Sequence, residues 1–248
     1  MCFHINKHGV IKMTYLFRQK FPIIAAIIAA FGILCLCGVL NNNEEPITGA
    51  MSIPVSGKTI VIDAGHGGFD AGASANGLEE KNINLSVAKY LEEYISQGGG
   101  IAVMTRDEDR STADADTDGK SAKKSDLENR KKLVETAEAD VFVSVHMNKF
   151  PQEQYRGAQV FYSPQPQESK QLGEEIQASL KEILNDGNER QAKKAEGIFI
   201  LKNTLVPSVI VECGFLSNPQ EAALLKEESY RQKLAWGIYV GIVKFFNS

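Results

Sequence analysis

The chain has 248 residues, 43% of them apolar and 23% charged, the composition of an ordinary globular protein long enough to bury a sizeable core. Its formal net charge is −4; four of its 27 basic and two of its 31 acidic side chains precede residue 51, which leaves the remainder at −6. An acidic domain without a basic run sets nucleic acid aside as a partner.

Residues 1–20 form a basic tail with Lys7, Lys12, Arg18 and Lys20. Phe21 to Leu40 carry no charge and have about the 20 residues that a bilayer-crossing helix needs. Asn41, Asn42, Asn43, Glu44 and Glu45 follow, so the positive-inside rule puts the tail in the cytoplasm and the rest beyond the membrane. Residues 21–40 are therefore expected to be a membrane anchor. A cleaved signal segment is the alternative; no good small-x-small site closes the stretch, although Cys37-Gly38 keeps it open. Residues 41–56, polar with Pro46 and Pro54, read as a tether. Of the cysteines Cys2, Cys35, Cys37 and Cys213, only the last lies beyond the tether, so no disulfide can form within that part.

Residues 57–248 alternate short apolar runs with longer amphipathic ones. This pattern predicts a single α/β domain with a mainly parallel central sheet flanked by helices. Lys58 to Asp63 reads as a first strand. Ile83 to Ser96 places Ile83, Val87, Tyr90, Leu91 and Tyr94 at helical spacing, and Gly98-Gly99-Gly100 stops that helix. Ile101 to Met104 is a second strand. Asp107 to Lys124 is polar and reads as a surface loop. Asp114, Asp116 and Asp118 alternate within it, but the glycine and distal glutamate of a calcium loop are missing. Asp126 to Ala137 is the next helix, and Val141 to Val145, the most apolar run, suits a central strand. Gly157 to Tyr162, Ile198 to Leu201 and Ser208 to Val211 read as further strands. Glu168 to Leu184, Pro219 to Lys226 and Tyr230 to Phe246 read as helices.

The chemistry gathers at predicted strand ends. His66 follows the first strand in IVIDAGHGG, and His146 ends VFVSVH; no other histidine lies beyond residue 50. Catalytic zinc sites take three protein ligands from His and carboxylates and leave a fourth position for water. The turn Gly77-Leu78-Glu79-Glu80 offers two acids for the third place, and spacing alone does not choose between them. Glu212 follows the apolar run Val209-Ile210-Val211, where it can serve as the base that a hydrolytic site needs. Cys213 beside it reads as a small buried residue rather than a nucleophile.

The motifs DAGHGGFDAGA, GLEEKN, TR, SVHMN and VECGFLSN, in this order, resemble those of the zinc-dependent N-acetylmuramoyl-L-alanine amidases of the amidase-3 type. The resemblance runs from about Gly57 to the C-terminus, and it is strongest to the membrane-anchored cortex amidases of spore formers. It implies one zinc on His66, Glu80 and His146, with Glu80 chosen over Glu79 because the family's acid directly precedes the lysine that is Lys81 here. It implies Glu212 as catalytic acid/base; for Arg106 and Arg130 it leaves a substrate-contacting or a structural role open, and Asn148 is expected to line the substrate cleft. The implied substrate is the peptidoglycan amide between N-acetylmuramic acid and L-alanine, cut outside the cytoplasmic membrane on the way to muramic-δ-lactam. Without wall-binding repeats, the domain is also expected to use an exported activator protein.

Overall fold

The computed structural model describes residues 54–248, so the expected basic tail, membrane segment and nearly all of the tether lie outside the described residues. Among the described residues, no helix is long and apolar enough to cross a membrane. The strands are β1 (Thr59–Ala64), β2 (Ser74–Ala75), β3 (Leu78–Glu79), β4 (Ile101–Met104), β5 (Val141–Asn148), β6 (Gln159–Tyr162), β7 (Lys193–Lys194) and β8 (Ser208–Phe215). The helices are α1 (Glu80–Gln97), α2 (Gly119–Thr136), α3 (Glu168–Leu184), α4 (Pro219–Lys226) and α5 (Glu228–Phe246).

Six strands form one sheet in the order β4-β1-β5-β8-β6-β7, and β2 pairs with β3 in a separate small hairpin. β4, β1, β5 and β8 are mutually parallel, whereas β6 runs antiparallel to β8. The inner strands β1 and β5 are buried on both faces, which is why TIVIDA and VFVSV read as nearly unbroken apolar runs. Alternation divides the core. Ile60 and Ile62 of β1 join α1, α3 and α5 in the larger apolar layer, while Val61 joins Phe142, Ile210 and α2's Val134 on the other face.

The connections decide where a site can form. The chain leaves β1, crosses through α1 to the edge strand β4, and returns through α2 on the opposite face to β5. The strand order therefore reverses between β1 and β5. In open α/β sheets the crevice beyond the carboxyl ends of two such strands is the usual ligand site.

The expected elements differ from the observed ones in ways that matter here. The first helix begins at Glu80, three residues early, because the hairpin β2–β3 delivers the chain directly into it. The polar stretch ends at Gly119, where α2 starts, so its last six residues are helical. Ile198 to Leu201 is not a strand: Phe199–Leu201 form a turn of 3-10 helix. β5 continues to Asn148 and β8 to Phe215, so His146 and Glu212 stand inside strands rather than at their ends.

Candidate metal centre

The first turn of the candidate centre leaves β1 at Ala64. His66 adopts φ of 62°, followed by Gly67 at 133° and Gly68 at 56°. Left-handed backbone at a histidine is uncommon and costs about 1–3 kcal/mol unless its surroundings enforce it. Two arginines do so. Arg106 donates from Nε to the Ala64 carbonyl (2.8 Å) and from Nη2 to the Gly65 carbonyl (3.0 Å). Arg130 donates from Nη1 to the Ala64 carbonyl (2.8 Å) and from Nη2 to the His66 carbonyl (2.7 Å).

Of the substrate-contacting and structural roles expected for Arg106 and Arg130, these contacts fit the structural one. Both are among the largest fully buried side chains, with 0% and 1% exposure. Their donors are spent on backbone carbonyls and buried carboxylates. Arg130 also pairs with Asp63 at 2.7 Å and with Asp126 at 2.6 Å. Asp63 in turn accepts from Thr105 (2.8 Å) and Ser144 (2.6 Å). For Asp63, the cost of burial is outweighed by the Arg130 charge, so its carboxyl lies below the usual range. Arg106 is pulled down to about 10 by burial and then by the neighbouring Arg130 charge.

Glu80, as the first residue of α1, is held from several sides. Its Oε2 accepts from the Ala73 amide at 2.8 Å and lies 3.2 Å from His66 Nε2. Its Oε1 lies 2.8 Å from His146 Nδ1 and accepts from the Met147 amide at 3.1 Å. Burial raises the Glu80 carboxyl, but hydrogen bonds from His146 and then His66 outweigh it and the net direction is downward. Glu79, the competing acid, is exposed and takes a hydrogen bond from Asn82. The rings of His66 and His146 meet edge to face, with centroids 5.0 Å apart. One ligand atom from each of His66, Glu80 and His146 can be chosen so that all lie within 4.8 Å of one another, an arrangement suited to a metal ion.

Glu212 sits opposite His146 in the β5–β8 register, so the two side chains share a face of the sheet. Its Oε2 is buried without a hydrogen-bond partner among the described residues. Burial raises the Glu212 carboxyl above its ordinary range; His146 opposes the shift and Glu80 adds to it. A carboxylate left unpartnered beside a His–Glu–His group fits a site completed by a cation and its water. Asn148, two residues beyond His146, is half-buried, with its Oδ1 accepting from the Lys149 amide at 2.8 Å. Cys213 points the other way into the apolar layer, with its thiol pushed up by burial.

Several supporting residues lie outside the predicted set. Asp70 Oδ2 stands 3.0 Å from His66 Nδ1, which leaves Nε2 facing Glu80. Asn84, fully buried, donates to the Gly65 carbonyl at 3.0 Å and to Glu80 Oε1 at 3.4 Å. Its spacing of one helical turn from Glu80 was the available signal, as was Asp70's place inside DAGHGGFDAGA. Gly65 and Gly72 are required by close approach. A Cβ on Gly65 would lie 2.2 Å from His146 Nε2, and one on Gly72 would lie 2.6 Å from Glu80 Oε2.

Residues 60–244 match the amidase-3 family, described as N-acetylmuramoyl-L-alanine amidase, and the chain belongs to that family. It is therefore an amide hydrolase of the cell-wall class. Among its relatives, the germination-specific N-acetylmuramoyl-L-alanine amidase of Bacillus subtilis is 40% identical over 207 residues, covering 83% of this chain and 85% of the relative. The structure of the CwlD amidase from Clostridioides difficile in complex with the GerS lipoprotein is 42% identical, with a TM-score of 0.75 over 77% of this chain and 98% of that one. An N-acetylmuramoyl-L-alanine amidase from Clostridium difficile 630 is 27% identical, with a TM-score of 0.68 over 78% and 98% of the two chains.

Proposed function

We propose that this chain hydrolyses the amide between the lactyl group of N-acetylmuramic acid and L-alanine in the peptidoglycan of the spore cortex, a step toward muramic-δ-lactam. The observation that carries the proposal is the meeting of His66, Glu80 and His146 beside the unpartnered Glu212 in a chain of this family. His66, Glu80 and His146 would hold one zinc. When bound, zinc supplies a Lewis acid that polarises the amide carbonyl and makes water acidic near neutral pH.

The chain's own residues account for the proton. Glu212, raised by burial and free to accept at Oε2, takes the proton from the attacking water. It then returns that proton to the departing L-alanine amine, so the carboxylate ends as it began. Asp70, with its Oδ2 3.0 Å from His66 Nδ1, favours a ring orientation that turns Nε2 toward Glu80, and Arg106 and Arg130 hold the backbone that aims His66. Asn148 lines the cleft on the His146 strand.

On this reading residues 1–20 would be the cytoplasmic tail, 21–40 a membrane anchor or signal segment, 41–56 the tether and 57–248 the catalytic domain, which acts outside the membrane. The relative of Clostridioides difficile was captured with a lipoprotein, which supports an exported activator here.

The test combines product and metal. Digestion of peptidoglycan should release sugar-free stem peptide with an L-alanine amine; release of acetate or of a shortened peptide would point instead to a deacetylase or peptidase. Glu212→Ala should keep zinc and lose at least about a hundredfold of the activity, whereas His146→Ala should lose both. Turnover by the Glu212 variant would remove its assigned role.

A further inference from the structure

Beyond the metal centre, the loop that follows β5 carries an exposed aromatic ledge. Phe150 and Tyr155 are each 43% exposed, although both rings pack on one another and on the buried Phe215. The centroids are 5.4 Å apart for Phe150–Tyr155, 5.5 Å for Phe150–Phe215 and 6.3 Å for Tyr155–Phe215. The Arg190 guanidinium covers the Phe215 ring at 5.1 Å, and its Nε donates to the Arg156 carbonyl at 3.0 Å. Arg156 itself donates to the Asp186 carbonyl. Among the described residues neither arginine is ion-paired, in a part of the chain whose net charge is negative.

The ledge is continuous with the two strands that bear the chemistry. Phe150 lies four residues beyond His146, and Phe215 three beyond Glu212, and Phe150's amide is tied to Ser217 Oγ at 3.1 Å. At about 3.4 Å per extended residue, the backbones of Phe150 and Phe215 lie within roughly 10–14 Å of those of His146 and Glu212. A four-residue stem peptide spans about the same length. That peptide bears free carboxylates from its second residue onward, and its backbone and methyl groups suit a flat aromatic surface.

We propose that Phe150, Tyr155, Arg156 and Arg190 form the subsite for the carboxylate-bearing part of the stem peptide. The two outer rings support the extended chain, and the two guanidiniums pair with its carboxylates. This inference rests on the amidase reading for its choice of ligand, but not for its test.

The experiment is calorimetric binding of free L-Ala–γ-D-Glu–diaminopimelate–D-Ala to the zinc-loaded full chain in detergent, beside the same peptide with its carboxylates amidated. Amidation should weaken binding to the unmodified protein about tenfold, as expected for loss of a charge-assisted pair. In Arg156→Gln/Arg190→Met it should have no further effect, because the partners are already gone. Tyr155→Ala should weaken both peptides alike. Equal sensitivity to amidation in the arginine variant and the unmodified protein overturns the proposal. So does failure of the peptide to bind while peptide-free glycan binds and loses affinity in Tyr155→Ala, which would make the ledge a saccharide subsite. Peptide binding by a chain that leaves the lactyl–L-alanine amide of intact peptidoglycan uncut would overturn the amidase reading and leave the subsite standing.

Discussion

At the scale of single residues, Gly65 shows how little slack the centre has. Its Cα hydrogen occupies the space against the His146 ring, and any side chain would fall on Nε2 and Cε1 at 2.2 and 2.3 Å. Gly65→Ala should therefore turn His146 away from Glu80, weaken zinc binding at least about tenfold, and destabilise the fold by about 1–3 kcal/mol, as overpacking does. Zinc competition with a chromophoric chelator and a denaturant titration check the two effects separately. Arg130 tests the opposite case, a charge that cannot be removed alone. Arg130→Met leaves Asp63 buried at 1% exposure without its cation, and breaking such a pair costs about 3–5 kcal/mol. Adding Asp63→Asn should recover part of that loss, so the double variant should be more stable than the sum of the single effects predicts.

At the scale of elements, the polar segment between β4 and α2 acts as a strap rather than a free loop. Asp126 of α2 accepts from the Thr112 amide at 2.6 Å and from Ser111 Oγ at 2.8 Å, while also pairing with Arg130. Asp109 accepts from the Gly68 amide at 2.8 Å and from Lys81 Nζ at 2.7 Å. The strap thus joins the His66 turn to α2. Burial raises the Asp126 carboxyl, but its hydrogen bond and charge pairing with Arg130 outweigh this, so its pKa is lower folded than unfolded. Its stabilising contribution is therefore complete above the ordinary value of 3.8 and is lost as the pH falls below that toward the lowered value. Denaturant midpoints measured across this range should fall less steeply for Asp126→Asn than for the unmodified chain. The strap was not visible in the sequence, because Asp, Ser and Thr at a surface and in a hydrogen-bonded strap have the same composition. The same limit left the role of the two arginines open: their partners are mostly backbone carbonyls, which leave no trace in residue type. The helices were legible wherever four apolar residues recurred on one face, as Ile83, Val87, Leu91 and Ile95 do in α1. A run as short as Ile198 to Leu201 has too little periodicity to separate a strand from a helical turn. The His–Glu–His group was legible because histidines are few and glutamate beside lysine is a family mark, whereas the lengths of β5 and β8 depend on their mutual pairing.

At the scale of the whole domain, the residues proposed to hold the metal come from the end of β1, the start of α1 and the body of β5, so a bound zinc would stabilise the sheet and its covering helix together. With zinc at a hundred times its dissociation constant, linkage adds about 2.7 kcal/mol, and chelation should lower Tm by roughly 5–10 °C in a domain of this size. A scan with and without chelator measures it, and His146→Ala should show no such difference. Asp63, met above as the partner of Arg130, has a consequence for the order of assembly. Its three side-chain partners, Thr105, Arg130 and Ser144, lie 42, 67 and 81 residues away along the chain. No local turn can satisfy it, and it can be buried only once β4, α2 and β5 have all arrived. The histidine turn is thereby set late, after the apolar strands have paired. Conservative substitution of Asp63 should accelerate unfolding and leave the folding rate nearly unchanged, as stopped-flow kinetics would register. Zinc should then capture a finished sheet rather than nucleate one.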